Sequence, residues 1–283
     1  MSSSRDIRVK IKSIESTKKI TRAMEMVSAS KMKKATRLME ASSPYATQIR
    51  EIISHLLAVN PEYKPDLLTE RPVRSVGYLV VSSKRGLCGG LNNNLFKKVL
   101  DSIENQPVGV EAKVCAVGTK AVTFFSQLKT PMLAALELKT DVPDMAEILG
   151  VIGVVVKAFE NNDIDELYVC SNEFVNTMVQ KPTVEKLLPL SWGQSSNNSG
   201  DYLYEPTANE ILNKLLIRFV EACIYQALVE NYTCEQAARM MAMKAATDNA
   251  SDLIDEFKLI YNKARQASIT KEISEIVGGA AAL

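Results

Sequence analysis

The sequence predicts an α/β protein with long helices at both ends and a middle of alternating strands and helices. Three observations carry this. Residues 207–277 contain no Gly or Pro, and neither do residues 1–43. Ten of the twelve glycines lie between Gly77 and Gly200. Within that middle, β-branched apolar runs alternate with amphipathic ones, the pattern of a largely parallel sheet covered on both faces. A helix over residues 207–277 is about 105 Å long at 1.5 Å per residue. A compact domain of this chain length is only roughly 40 Å across, so such a helix needs cover from elsewhere.

The N-terminal helix is predicted over Ser4–Val59. Ala35, Leu38, Ser42, Tyr45, Ile49, Ile52 and Leu56 step by three and four, as a coiled-coil seam does, and Ile7, Ile11 and Ile14 start the same pattern. Pro44 falls inside the run and removes one ladder hydrogen bond. Pro61, Pro65 and Pro72 mark residues 60–72 as a linker. Strands are predicted over Val76–Ser82, Lys113–Val117, Leu133–Leu138, Leu167–Ser171 and Val184–Leu190. Helices are predicted over Leu91–Ile103, Thr119–Gln127 and Asp144–Glu160. The last helix repeats the seam at Leu253, Phe257, Ile260, Ala264 and Ala267. The two end helices pair antiparallel, since one chain must return from the middle, and the longer C-terminal one extends beyond its partner. The resulting division is a helix over 1–59, a linker over 60–72, an α/β domain over 73–200, and a loop with the final helix over 201–283.

Composition narrows the function. The chain is 46% hydrophobic and 24% charged, as soluble globular proteins are. The longest apolar stretch, around Ile148–Val156, is too short to cross a bilayer, and no N-terminal run has the make-up of a secretory signal. Five scattered cysteines without a CxxC pair read as reduced thiols. The single histidine, His55, leaves no His-rich metal site. Net charge is +1, yet residues 1–37 hold eleven basic side chains against three acidic ones. A basic arm of this kind calls for an acidic partner surface, either nucleic acid or an acidic protein cavity.

Catalytic constellations are missing. Gly86-Leu-Cys-Gly-Gly-Leu lacks the Lys-Ser/Thr ending of a phosphate-binding loop. No GxGxxG follows a strand. Gly118-Thr-Lys opens a helix after a strand and offers a weak anion site or, more simply, an ordinary helix start. The glycines of Gly86-Leu-Cys-Gly-Gly-Leu-Asn permit positive φ and close packing of this loop against another surface.

Three segments together carry a resemblance. They are Ile11-Lys-Ser-Ile-Glu-Ser-Thr-Lys-Lys-Ile-Thr-Arg-Ala-Met-Glu-Met-Val-Ser-Ala-Ser-Lys-Met, Ser83-Lys-Arg-Gly-Leu-Cys-Gly-Gly-Leu-Asn, and Ala267-Ser-Ile-Thr-Lys-Glu-Ile-Ser-Glu-Ile-Val-Gly-Gly-Ala-Ala. In order and spacing the chain resembles the gamma subunit of bacterial F-type ATP synthase from end to end. Ala242-Met-Lys-Ala-Ala-Thr-Asp-Asn is similar to that family too. The resemblance implies an antiparallel coiled coil inside a ring of three alpha and three beta subunits. It also implies a Rossmann-like middle domain without a nucleotide, placed near the membrane against the epsilon subunit and the membrane c-ring. The chain then works as the central rotor and does no bond chemistry itself. It needs no cofactor or metal, binds no nucleic acid, and stays peripheral on the cytoplasmic face of the bacterial plasma membrane without inserting. By position, beta-subunit contact falls on Arg8, Lys19, Arg22, Met24 and Lys31, and on Arg239, Gln266, Thr270, Glu272 and Glu275. The c-ring and epsilon contact falls on Tyr202, Tyr204 and Glu205. Two other classes remain in view: a coiled-coil nucleic-acid-binding protein and a Rossmann-type enzyme with helical arms. The first lacks aromatics in residues 1–37 for base stacking, and the second lacks the glycine fingerprint.

Overall fold

The computed structural model describes residues 4–59, 65–191 and 207–280. Two helices hold the ends: α1, Ser4–Val59, and α5, Ala208–Ala280. Between them come β1 Ser75–Val81, α2 Leu91–Glu104, β2 Glu111–Val117, α3 Thr119–Gln127, β3 Met132–Leu136, α4 Met145–Glu160, β4 Glu166–Phe174 and β5 Gln180–Leu188. The chain divides into two compact units, Met1–Ala29 with Arg239–Leu283, and Ser30–Ala238.

In the first unit the start of α1 runs antiparallel to the end of α5. Lys10 Nζ lies 6.0 Å from the centre of the Phe257 ring, and Thr21 Oγ1 meets Thr247 Oγ1 at 2.8 Å, so partner numbers fall as α1 advances. Ile7, Thr21 and Ser28 are buried on α1, with Ile14 half-buried between them, seven residues apart each time. That strict heptad keeps one face of α1 toward its partner. Two of its positions are small hydroxyl residues, and the Thr21–Thr247 pair satisfies a polar contact that would otherwise be buried alone. On α5 the expected seam holds at Phe257 and Ala264 and moves by one residue at the positions next to them. Ile254 is buried, with Phe257, Tyr261 and Ala264 half-buried, whereas Leu253, Ile260 and Ala267 are exposed. From Arg265 to Gly278 every residue is exposed.

The second unit is built on a five-stranded sheet in the order β3-β2-β1-β4-β5. The β1–β2, β1–β4 and β2–β3 pairs are parallel, and β4–β5 is antiparallel. All seven residues of β1 are buried, as a central strand covered on both faces requires. Its alternation splits the core. Leu79 and Val81 face α4 and the segments Ile49–Leu56 of α1 and Leu212–Leu228 of α5. Val76, Tyr78 and Val80 face α2 and α3, where Phe96, Phe124 and Phe125 form a ring cluster at 4.7–5.7 Å between centroids. Gly77 is tightly enclosed, since a Cβ there would come within 2.9 Å of Ile164 Cδ1. The α1 seam again departs from expectation: Ile53 is fully buried, while Ile52 and Tyr45 are 45% and 55% exposed. Pro44 stays inside α1, and next to it Ser42 Oγ donates to Gln226 Oε1 on α5 at 2.5 Å. The last strand starts at Gln180, four residues before the expected Val184, because it ladders along β4 from Leu167 to Phe174.

Candidate functional site

A parallel sheet of this class places ligands outside the carboxyl ends of its strands, where the strand order reverses. Here that point lies between β1 and β4. Asn92 at the start of α2 stitches the loop after β1 to it: its Nδ2 donates to Ser83 Oγ at 2.7 Å, and its Oδ1 accepts from Ser83 N at 3.2 Å. Gly89 takes φ +60 in this loop. The loop delivers Cys88 and Leu91 into a small apolar cluster with Cys234 of α5, flanked by Phe174 and Ala238. The long helix therefore fills the crevice in which such a fold would seat a nucleotide. The expectation that the glycine loop packs on another surface is met, and that surface is α5.

The β2–α3 turn is also closed. Gly118 has φ +95, and a Cβ there would lie 2.3 Å from Ser82 O. At the N-terminus of α3, Ala121 N donates to Ser82 Oγ at 2.8 Å and Lys120 N to Ser83 O at 3.3 Å. These amides, which an anion would need, already serve the neighbouring strand end.

The buried thiols are poorly suited to nucleophilic work. Desolvation pushes Cys115 up to about 12 and raises Cys170 and Cys234 as well, so each stays a protonated thiol at neutral pH. A cleft of about 400 Å³ between β4–β5 and the helices is lined by Arg50, Glu173, Glu185, Phe219, Cys223 and Glu230, among others. Burial raises the Glu230 pKa above the ordinary carboxylate value, and the neighbouring Glu173 and Glu185 add to it. Its Oε1 accepts from Phe174 N at 2.9 Å. Among the described residues, no group of three or more His, Cys, Asp or Glu is placed to hold a metal ion, and no helix is long and apolar enough to cross a membrane.

The expected contact residues fall into three sets. Arg8, Lys19 and Arg22 are exposed on α1 and lie within about 60° of one another at 100° per residue, a single basic face. Met24 is half-buried and lies on the other side of that helix. Lys31 belongs to the sheet unit, where its Nζ meets Asp141 Oδ2 at 2.7 Å, with Arg85 Nη2 3.6 Å from the other oxygen. The Lys31 hydrogen bond, helped by the charges of Lys31, Arg85 and Lys84, holds the Asp141 pKa below its ordinary 3.8. Arg239 is only 9% exposed. Gln266, Thr270, Glu272 and Glu275 are all exposed at the end of α5. Gln266 and Thr270 share a face with Ile269, Ile273 and Val277, which are 47%, 55% and 61% exposed. Glu272 and Glu275 point to the opposite side. An apolar stripe with an acidic back thus ends the helix. The spacing of Ile269, Ile273 and Val277 is the sequence signal of this stripe, next to the polar residues expected there. Tyr202, Tyr204 and Glu205 lie outside the described residues.

The Asp141 cluster carries a pH prediction. A depressed carboxyl pKa adds stability that is present above the unfolded value and lost as pH falls through the folded one. Asp141 is half-buried but the side chains of Lys31 and Arg85 are 38% and 70% exposed, so solvent screens the cluster and Asp141→Asn should cost less than about 1 kcal/mol at pH 7. The gap between wild type and variant in thermal midpoint should close below about pH 4. A gap that stays constant down to pH 2 would rule out this ion pair as its source.

Comparison with known proteins places these features. A family model described as ATP synthase matches residues 3–283. The fold resembles the rotor of the Euglena gracilis mitochondrial ATP synthase in rotational state 1, with a TM-score of 0.66 at 16% identity over 94% of this chain and 98% of that one. It also resembles a chain of the same organism's OSCP/F1/c-ring assembly in rotational state 3, with a TM-score of 0.69 at 19% identity over 99% and 94% of the two chains. A chain of the Tetrahymena thermophila mitochondrial ATP synthase central stalk and c-ring matches with a TM-score of 0.60 at 21% identity, over 80% of this chain and 99% of that one. At these identities the structures speak for the fold, and the family match along nearly the whole chain speaks for kinship: the chain belongs to the ATP synthase family, that of the F1 gamma subunit.

Proposed function

We propose that this chain is the central rotor of a proton-translocating ATP synthase, carrying torque between a membrane c-ring and the catalytic beta subunits. The family match over residues 3–283 is the observation that carries the reading. The antiparallel helix pair, with α5 running on past its partner as an exposed apolar stripe, supports it: such a surface needs a sleeve. The occupied crevice at the sheet's switch point supports a non-catalytic role, with ATP made or split elsewhere.

In this reading the helix over 1–59 and the final helix within 201–283 form the shaft inside an alpha3beta3 hexamer. The α/β domain over 73–200, joined by the linker over 60–72, lies on the membrane side with the epsilon subunit. Arg8, Lys19, Arg22, Met24 and the exposed end of α5 meet the beta subunits, and Tyr202, Tyr204 and Glu205 meet the c-ring and epsilon. The assembly is peripheral to the cytoplasmic face of a bacterial plasma membrane, and nucleic acid is not a partner. An asymmetric shaft makes three equivalent sites unequal because its contacts with each differ, and an equilibrium shifts only by differential contact.

The test is reconstitution. Purified chain added to alpha and beta subunits should co-purify with them and raise their ATPase activity. Alone it should hydrolyse nothing and bind ATP, ADP and NAD with millimolar dissociation constants at best, about −4 kcal/mol. Micromolar nucleotide binding to the chain by calorimetry would contradict the non-catalytic reading and point to Gly118–Lys120 as the first place to mutate.

A further inference from the structure

The segment Asn231–Ala237 of α5 is buried on every side, unlike the rest of this helix. Its apolar contacts resist turning only through the shape of the packing, and they carry no preferred bond direction of their own. Three polar contacts within about one helical turn do supply direction. Asn172 Nδ2 donates to Asn231 Oδ1 at 2.8 Å, buried at both ends. Cys234 Sγ donates to Asn172 O at 3.2 Å. Glu230 Oε1 accepts from Phe174 N at 2.9 Å. All three join α5 to the end of β4, the strand beside the centre of the sheet. Turning α5 by about 20° would move a side-chain atom at its roughly 5 Å radius by about 2 Å, which breaks hydrogen bonds of this length.

We propose that Asn172, Asn231 and Glu230 are the positioning residues of a torque joint, through which the sheet domain grips α5 against rotation. The inference rests on the rotor reading and adds where torque enters the long helix. Torque applied to the domain reaches α5 at residues 230–234, and α5 continues unbroken from there to Ala280.

The joint is tested by separating its direction from its packing. Asn172 Oδ1 is buried without a partner already; Asn231→Leu alone takes the partner of Nδ2 as well and should lower the melting temperature. Replacing both, N172L with N231L, removes the polar pair together, and stability should return close to wild type. Glu230→Gln keeps an accepting oxygen and serves as the conservative variant, while Glu230→Leu does not. In the assembled complex, angular fluctuation of a probe on the sheet domain should widen about twofold in variance for N172L/N231L and for E230L, and protons pumped per ATP should fall. E230Q should match wild type. A stable N172L/N231L complex with wild-type angular spread and pumping ratio would overturn the joint. A wild-type complex whose probe never turns would instead overturn the rotor reading, and the torque role with it.

Discussion

Gly118→Ala should cost the sheet domain about 4 kcal/mol of stability. The added Cβ would lie 2.3 Å from Ser82 O and 2.7 Å from Ser82 Oγ, on a residue with φ +95. Neither partner is free to move. Ser82 N donates to Val117 O at 2.8 Å, and Gly118 N donates to Leu136 O at 2.8 Å, so the clash falls between two strands already laddered. A loss of this size is a large part of a typical domain's 5–15 kcal/mol. Two other glycines set the scale. Gly89 has φ +60 but open space around a new Cβ, so Gly89→Ala should cost about 1 kcal/mol. Gly150 sits in α4 with nothing near, so Gly150→Ala should stabilise by about 0.5–1 kcal/mol. Urea unfolding of the three variants gives the order directly. A Gly118→Ala protein within 1 kcal/mol of wild type would show that this turn is not fixed as described.

Met24→Lys should uncouple the assembled complex without dismantling it. Met24 is half-buried on α1, and in the proposed assembly it meets a beta subunit, the partner whose acidic surface the basic arm calls for. A lysine there brings a cation to a partly desolvated contact, where charge pairs couple by about 1.5 kcal/mol or more. Each 1.4 kcal/mol favours one rotary position tenfold, so the shaft dwells there and steps slip. Protons pumped per ATP should fall at least about twofold while subunit composition stays intact, and Met24→Leu should behave as wild type. An unchanged pumping ratio in the lysine variant would sink the assignment of Met24 to this contact.

The elements were legible where local chemistry decides them. Residues 1–43 and 207–277 lack Gly and Pro, so nothing stops a helix within them, and α1 runs over Ser4–Val59 as read, with Pro44 inside it. Asp144 accepts from Ala146 N at 3.2 Å and starts α4 where its side chain predicted. The seam was legible to the residue at Ala35, Ile49 and Leu56, which are buried as expected, and elsewhere only to within one residue. Ile52 and Ile53 are adjacent and equally apolar, about 100° apart on the helix, and steps of three and four do not choose between them. Leu253 and Ile254 pose the same choice. Packing against the sheet settles the first, buried in the core beside α4 and α5. The grip of β4 on α5 had no sequence signal at all, since Asn172 and Asn231 are 59 residues apart and neither stands in a motif. Lys31 read as one more cation of a basic arm. Its partner Asp141 is 110 residues away, and charge counting along the chain does not see it.

The central claim is that this chain turns inside a catalytic ring. Val108 is fully exposed at the turn before β2, so Val108→Cys offers a place for a bead, with four of the five native thiols buried and Cys223 half-buried. With the alpha3beta3 hexamer fixed to a surface, ATP should drive the bead in one direction, in steps of a third of a turn. Steady ATP hydrolysis with the bead held at one angle would contradict the account.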